Sequence, residues 1–307
     1  MQLLYALEAM RTPFLDTVMS LVTHLGEELV FMAVAVFVYW CVDKYRGYYL
    51  LTVGFVGTLI NQFLKILCCI PRPWVIDPNF TIVESARAQA TGYSFPSGHT
   101  QNVVGTFGGI ALFTRRKWLR WVLAVLAVLV SFSRMYLGVH TPLDVGVAFI
   151  TAVVLLLVCY PLMEKARHDR KYLFVIAGAM IVLSAAFWLY LVMAGAPCAV
   201  TDVNYENYTH ALENAQKMLG CTVGILLTAW LDETRIHFDT KAVWWAQILK
   251  LVLGLGVVVA VKSGLKAPLH ALIPGIADAV RYFLMVVAVG CLWPLTFRFW
   301  GRLGKDK

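Results

Sequence analysis

Three polar segments interrupt an otherwise apolar chain: Lys65-Ile-Leu-Cys-Cys-Ile-Pro-Arg72-Pro73, then Pro96-Ser97-Gly98-His99, then Ser133-Arg134 followed by His140 and Asp144. As patterns they read K-x6-R-P, P-S-G-H and S-R-x5-H-x3-D. Hydrophobic residues make up 60% of the 307 residues and charged residues 14%, against roughly 45–50% and about 25% in soluble proteins. We therefore expect an all-α polytopic membrane protein whose chemistry is concentrated between residues 65 and 144.

The apolar runs predict nine membrane-spanning helices, since about 20 apolar residues cross a hydrocarbon core as a helix. Residues 1–26 are a mixture of apolar and polar side chains, and their periodicity predicts a helix lying in the interface. Residues 1–12 do not read as a signal peptide. The predicted spans are 28–42, 47–69, 100–114, 118–137, 144–163, 172–194, 217–232, 243–262 and 276–297.

The distribution of Lys and Arg predicts the orientation, because cytoplasmic loops carry an excess of both residues. One side carries 16 of the 26: Lys44, Arg46, Arg115, Arg116, Lys117, Arg120, Lys165, Arg167, Arg170, Lys171, Arg235, Lys241, Arg298, Arg302, Lys305 and Lys307. That side should be cytoplasmic, which leaves the N-terminus outside and the C-terminus inside. All three motifs then fall on the outer side. Lys250 lies within the eighth span and is expected to snorkel or to pair helices. We interpret the net charge of +8 as a consequence of this membrane topology, and no nucleic-acid partner is predicted.

In this order and at this spacing, the three patterns resemble the signature motifs of the type 2 phosphatidic acid phosphatase (PAP2) superfamily. The chain is accordingly similar to the membrane-bound lipid phosphatases of that family. The layout of nine spans with an outside N-terminus also resembles glucose-6-phosphatase. Family members are described with a six-helix core, so the first crossing here is expected to be absent or replaced by the interface helix.

The motif residues suit phosphoryl transfer, in which charge must be neutralised on three equatorial oxygens. Lys65, Arg72 and Arg134 are the predicted cations, since intramembrane cations are costly without a function. Ser97 and Gly98 are placed at a helix start, where a hydroxyl and backbone N–H groups can bind an anion. No carboxylate cluster suggests a metal, and no cofactor is predicted.

The resemblance to the family implies the roles of the two motif histidines. It makes His140 the nucleophile that forms a phosphohistidine, and His99 the acid that protonates the leaving oxygen. Asp144 follows His140 by four residues, so a helical turn beginning near Pro142 would let the carboxylate orient the imidazole. The remaining histidines are interpreted as interfacial or hydrogen-bonded side chains: His24, His168, His210, His237 and His270.

These observations divide the chain into a catalytic core over 1–165, with the interface helix and five spans, and a four-span region of unknown role over 166–307. We expect a metal-independent phosphatase of the plasma, inner or endoplasmic reticulum membrane that acts at the non-cytoplasmic face. Its substrate would be a lipid phosphate such as phosphatidic acid, phosphatidylglycerophosphate or a sphingoid phosphate, or a polyprenyl diphosphate. The polyprenyl diphosphate ranks slightly first, by analogy within the family alone.

Other functions remain open at this point. A soluble sugar phosphate is the second substrate class, and a lipid phosphotransferase would use the same residues. The vanadate-dependent haloperoxidases of the superfamily are soluble, so the hydropathy argues against that chemistry. A lipid-binding or transport protein without catalysis is the alternative outside the enzymes. Membrane lipids are the expected surroundings, and the oligomeric state is not predicted.

Overall fold

The computed structural model describes residues 1–195 and 203–303, which fold into helices without any β-strand. The all-α prediction is confirmed over these residues. The α-helices are α1 Gln2–Ala9, α2 Pro13–Thr23, α3 Glu28–Phe37, α4 Lys44–Cys68, α5 Pro73–Ile76, α6 Gly98–Val103, α7 Gly109–Phe113, α8 Lys117–Tyr136, α9 Pro142–His168, α10 Arg170–Ala194, α11 Val203–Leu231, α12 Trp244–Gly264, α13 Lys266–Leu272, α14 Ala277–Val287 and α15 Phe297–Trp300. Lys305 and Lys307, used above for the charge bias, lie outside the described residues.

Helices occupy all nine predicted ranges, but fewer of them are long and apolar enough to cross a membrane. Six described segments meet that measure: Lys44–Ile76, Lys117–Tyr136, Pro142–His168, Arg170–Ala194, Trp244–Leu272 and Ala277–Trp300. A bent pair, 13–26 with 28–42, makes seven if it is one span broken by its 49° bend. The predicted span over 100–114 is a short helix interrupted by the π-helical turn Val104–Gly108. The predicted span over 217–232 lies in α11, whose first half is polar.

Two compact units interleave along the chain. The first consists of Met1–Met32, Val53–Cys159 and the described part of Ala196–Ala211; the second consists of Ala33–Thr52, Tyr160–Gly195 and the described part of Leu212–Lys307. Helices α4 and α9 each contribute residues to both units. The boundary near residue 165 remains a prediction about where the catalytic residues end.

In the first unit, α2 and α6 pack against α8, and α6 also contacts the 3-10 turn His24–Gly26. The long loop between α4 and α6 is folded onto this bundle. The N–H of Val83 donates to the carbonyl of Leu137 at 3.1 Å, and the N–H of Ser94 donates to the carbonyl of Ile70 at 2.8 Å. This loop therefore has a fixed path past the ends of α4 and α8, where the motif cations lie.

In the second unit, Lys250 of α12 is buried to 1% exposure and its ammonium is satisfied inside the protein. Its Nζ donates to the carbonyls of Trp40 at 2.9 Å and Thr240 at 3.1 Å, and it lies 4.3 Å from the centre of the Phe297 ring. Of the two roles predicted for Lys250, snorkelling and helix pairing, these contacts support helix pairing.

Candidate active site

The first unit brings the ends of several helices together around the predicted residues. Arg72 directly precedes α5, Ser97 is the N-cap of α6, and His140 lies in the turn before α9. The other predicted residues are Lys65 in the last turn of α4, Gly98 and His99 at the start of α6, Arg134 in the last turn of α8, and Asp144 in the first turn of α9. All eight belong to this one unit.

His140 is held between a carboxylate and a guanidinium, which together define its tautomer. Its Nδ1 lies 3.4 Å from Oδ2 of Asp144, and its Nε2 lies 3.0 Å from Nη1 of Arg72. A guanidinium can only donate, so Nε2 must accept and carries the lone pair. Nδ1 then carries the hydrogen and donates it to Asp144. Helix α9 begins at Pro142 as expected, which puts the imidazole and the carboxylate on one turn.

Asp144 is fixed by groups from two other parts of the site. Its Oδ2 accepts the hydroxyl of Ser94 at 2.5 Å and the backbone N–H of Thr141 at 2.7 Å. Its backbone carbonyl accepts the N–H of Ser97 at 3.1 Å. The second and third motifs are thus joined through the backbone as well as through side chains, and Ser94 and Asp144 are both fully buried.

The guanidinium of Arg72 donates hydrogen bonds to main-chain carbonyls. Nε donates to Gly92 at 3.0 Å, Nη2 to Thr91 at 2.7 Å and Nη1 to Val139 at 2.9 Å. Pro71 and Pro73 restrict the chain on either side of the arginine, and Pro73 starts α5. The guanidinium is therefore immobilised beside His140, and no carboxylate of the described residues pairs with it.

The other two cations also face neutral acceptors. Nζ of Lys65 donates to the carbonyl of Tyr93 at 2.5 Å, and Nη1 of Arg134 donates to Oγ1 of Thr23 at 2.6 Å. Nε of Arg134 is buried without a partner among the described residues. Within the described chain, no carboxylate oxygen lies within 4.0 Å of any of the three cations. Buried charges normally carry a partner, so a cluster of this kind can receive an anion.

Ser97 and Gly98 leave room at the cluster. The Ser97 Oγ accepts the N–H of Thr100 at 3.4 Å and the hydroxyl of Thr100 at 3.1 Å, so its own hydroxyl hydrogen is left to donate. A methyl group added at Gly98 would meet nothing within 4 Å. Open space next to the Gly98 backbone and a free hydroxyl donor at Ser97 are what an incoming phosphate oxygen requires.

His99 and His140 are both neutral in this environment. Burial lowers the pKa of His99 from 6.5 to about 2, helped by the positive charges of Arg134, Arg72 and Lys65. Burial and the same three cations hold the pKa of His140 well below 6.5. Nε2 of His99 is buried and has no partner in the described part of the chain, so it is available to a substrate atom.

Several residues at the site were not predicted from the sequence. Ser94 holds Asp144, and Thr23 holds Arg134. His24, interpreted as an interfacial or hydrogen-bonded residue, bonds to Glu27 and also lowers the pKa of His99. None of these residues belongs to a motif, and their contacts with the site join residues up to 111 positions apart. The only sequence feature that could have indicated these residues is the polar and charged character of His24 and Glu27 next to a helix break.

Comparison with known proteins gives two family matches. Residues 45–168 match the family described as the PAP2 superfamily. Residues 216–305 match the family described as PAP2 superfamily phosphatase, transmembrane extension. The first match contains all eight predicted site residues.

Individual relatives are phosphatases by name. The chain is 30% identical to phosphatidylglycerophosphatase B of Bacillus subtilis (strain 168) over 176 residues, covering 52% of this chain and 81% of the relative. It is 38% identical to undecaprenyl-diphosphatase of Sulfolobus acidocaldarius over 98 residues, covering 31% and 45%. It is 29% identical to sphingosine-1-phosphate phosphatase 1 of Mus musculus over 173 residues, covering 52% and 39%. Among solved structures, Aquifex aeolicus LpxE matches with a TM-score of 0.47 and 23% identity, over 52% of this chain and 92% of that chain.

Proposed function

The chain belongs to the PAP2 superfamily of membrane phosphatases, and on that premise we propose that it is a metal-independent enzyme that hydrolyses a lipid phosphate or polyprenyl diphosphate through a phosphohistidine. The observation that carries this proposal is the arrangement around His140. One ring nitrogen points to Asp144. The other, which carries the lone pair, faces Arg72 in a cluster of three cations that have no carboxylate partner among the described residues.

In the first step, Nε2 of His140 attacks phosphorus, and the bond from phosphorus to the leaving oxygen breaks. Arg72 moves its donor from Nε2 to a phosphate oxygen, while Lys65 and Arg134 neutralise the other oxygens. As the imidazole becomes positively charged, the carboxylate of Asp144 stabilises it through Nδ1. A buried neutral histidine has its lone pair available at neutral pH without losing a proton first.

His99 supplies the proton for the leaving oxygen. The pKa of His99 is low in the free protein, but a bound phosphate dianion would offset the cations and favour the protonated imidazole. In the second step, His99 takes a proton from water, whose oxygen attacks phosphorus and breaks the bond to His140. Phosphate leaves, and His99 then releases to solution the proton that it took from water. This release balances the proton that His99 took up when the substrate bound, so both histidines return to their neutral starting state.

The site is proposed to work at the non-cytoplasmic face. In α4 and α8, the site residues stand at one end and basic residues such as Lys44 and Lys117 stand at the other; α9 runs the opposite way, from Asp144 to Lys165. A 20-residue helix such as α8 is about 30 Å long, so the two ends lie at opposite faces of a bilayer. Impermeant phosphate substrates added outside sealed right-side-out vesicles should be hydrolysed without detergent. Hydrolysis only after permeabilisation would contradict this orientation.

The test of the function is phosphate release by the purified protein in detergent with EDTA. The substrates are phosphatidic acid, phosphatidylglycerophosphate, sphingosine 1-phosphate, a polyprenyl diphosphate and glucose 6-phosphate. We expect release from at least one lipid substrate, its loss in His140→Ala, and its retention in His168→Ala, which replaces an exposed histidine outside the motifs. A 32P-labelled protein that is stable to alkali and absent in His140→Ala would report the phosphohistidine.

Loss of activity in EDTA would contradict the metal-independent mechanism. Equal activity in His140→Ala and the wild type would contradict the assignment of the nucleophile. Efficient hydrolysis of glucose 6-phosphate relative to the lipids would favour the sugar-phosphate alternative.

A further inference from the structure

The break between α2 and α3 lies directly against the residues proposed to carry out catalysis. Thr23 accepts a hydrogen bond from Arg134 at 2.6 Å. The carbonyl of Gly26 accepts Nδ2 of Asn102 at 3.3 Å, and a Cβ at Gly26 would be 3.0 Å from both Cβ and the carbonyl oxygen of His99. Residues 23–27 therefore form the wall of the site beside His99.

Glu27 is the centre of a polar cluster on that wall. Its Oε1 accepts Nδ1 of His24 at 2.5 Å and Nε2 of Gln89 at 2.8 Å. The side chains of His24 and Glu27 are 51% and 30% exposed, unlike the fully buried Arg134 and His140. The cluster thus stands at the accessible edge of the site.

Two atoms of the cluster that can only accept hydrogen bonds have no donor. Oε1 of Gln89 is buried without a partner among the described residues, and the carboxylate of Glu27 fixes the orientation of that amide because it can accept only from Nε2. Oε2 of Glu27 likewise receives no bond from the described part of the chain. A ligand that satisfies both atoms has to bring hydrogen-bond donors.

The cluster lies on the leaving-group side of the phosphate. In-line displacement places the leaving group opposite the nucleophile, and His99, which would protonate the leaving oxygen, is the residue that Gly26 packs against. The first atoms of the leaving group, just beyond the ester oxygen, would then meet Glu27, His24 and Gln89.

Resting on the proposed function, we propose that Glu27, His24 and Gln89 form a leaving-group subsite that selects lipid phosphates carrying an ammonium or hydroxyl group within a few bonds of the scissile ester. A donor there pairs with Glu27 and Gln89. A second phosphate there, as in a polyprenyl diphosphate, brings negative charge against a carboxylate and is disfavoured. The substrate class is therefore a phosphomonoester with a donor on the leaving alcohol, such as a sphingoid phosphate.

The test compares sphingosine 1-phosphate with its N-acetyl derivative of matched chain, which lacks the ammonium charge. Both are presented at equal mole fraction in mixed micelles at pH 7.5, together with a polyprenyl diphosphate. Because a hydrogen bond to a charged group is worth more than a neutral one, we expect wild-type kcat/KM to favour the free amine by about tenfold or more. The diphosphate should be the poorest of the three.

Glu27→Gln should reduce the preference for the free amine to within about threefold and should raise relative activity on the diphosphate. Glu28→Gln is the matched control, since it removes the same charge from the adjacent, exposed position and should keep the wild-type ratio. The wild-type ratio between the two sphingoid substrates tests the inference even if Glu27→Gln does not fold.

Equal wild-type kcat/KM for the amine and its N-acetyl derivative would overturn the inference. A ratio that Glu27→Gln leaves unchanged would overturn it as well. In both cases the proposed phosphatase function would stand, provided that release still depends on His140. Absence of release from every substrate would instead overturn the proposed function, and this inference with it.

Discussion

Asp144→Asn is the substitution whose effect follows most directly from the geometry of the site. The amide oxygen can still accept the hydrogens of Ser94, Thr141 and His140, so the arrangement is kept while the negative charge is lost. Two unit charges at the 3.4 Å between Nδ1 and Oδ2 interact by about 5 kcal/mol at an effective dielectric constant of about 20. Only part of the imidazole charge has developed in a loose transition state, so we expect kcat to fall by about 10²- to 10⁴-fold.

The measurement is steady-state phosphate release in detergent, with the phosphoenzyme quantified after alkaline quenching. We expect KM to change little, because Asp144 contacts His140 and not the substrate. Asp16→Asn is the control, since Asp16 also belongs to the first unit and accepts a hydrogen bond from α8, from Tyr136 at 2.8 Å. A kcat for Asp144→Asn within about threefold of the wild type, in a protein with an unchanged Tm, would refute the proposed support of His140 by this carboxylate.

Three further predictions follow from the same site. Gly98→Ala should fold normally because its methyl group meets nothing within 4 Å, but it should weaken vanadate binding by tenfold or more, as measured by inhibition. Gly146→Ala, where a methyl group also meets nothing within 4 Å, should bind vanadate like the wild type. Arg134→Met should be at least as thermostable as the wild type without ligand, since it removes a buried cation that has no carboxylate partner in the described part of the chain. It should also lose the stabilisation that phosphate gives the wild type, about 2.7 kcal/mol at 100 times Kd. The pKa values of His99 and His140 are lowered in the folded protein, so the unfolded chain binds more protons below pH 6.5. As the pH is lowered below 6.5, the free energy of unfolding should therefore decrease, by up to about 1.4 kcal/mol per pH unit for each histidine. Replacing both histidines with Gln should make Tm less dependent on pH.

The phosphate end of the site could be predicted because its chemistry restricts the residue types. A transition state with negative charge spread over three equatorial oxygens calls for fixed cations, a nucleophile and an acid, and the motifs supply these residue types in Lys65, Arg72, Arg134 and two histidines. The structure brings all of these residues into one unit. What the sequence could not predict is how they are held: Arg72 is fixed by carbonyls of Thr91, Gly92 and Val139, and a backbone carbonyl has no signature in the sequence.

The helical fold could be predicted from hydropathy, and the number of spans could not. Hydropathy reports how apolar a segment is, and helix length depends on local backbone geometry as well. The π-helical turn Val104–Gly108 interrupts the helix that begins after Ser97, and the bend between α2 and α3 divides what would otherwise be one longer apolar helix. The bend lies beside the site, where Gly26 and His99 approach each other closely.

The two ends of the site differ in the charge and in the hydrogen-bonding groups that they present to a substrate. Around phosphorus, Lys65, Arg72 and Arg134 provide only donors and positive charge, which any phosphate ester satisfies equally. At the proposed leaving-group side, Oε2 of Glu27 and Oε1 of Gln89 have no partner among the described residues. Both atoms are acceptors, which a hydrocarbon or a second phosphate cannot satisfy. The motifs shared across a superfamily contain the cations around phosphorus, because the reaction is common to its members. The acceptors of Glu27 and Gln89 come from a helix break and a loop 62 residues apart, and residues at such positions can change from one relative to the next without disturbing the chemistry at phosphorus. Substrate choice should therefore be sought in that wall and not in the motifs.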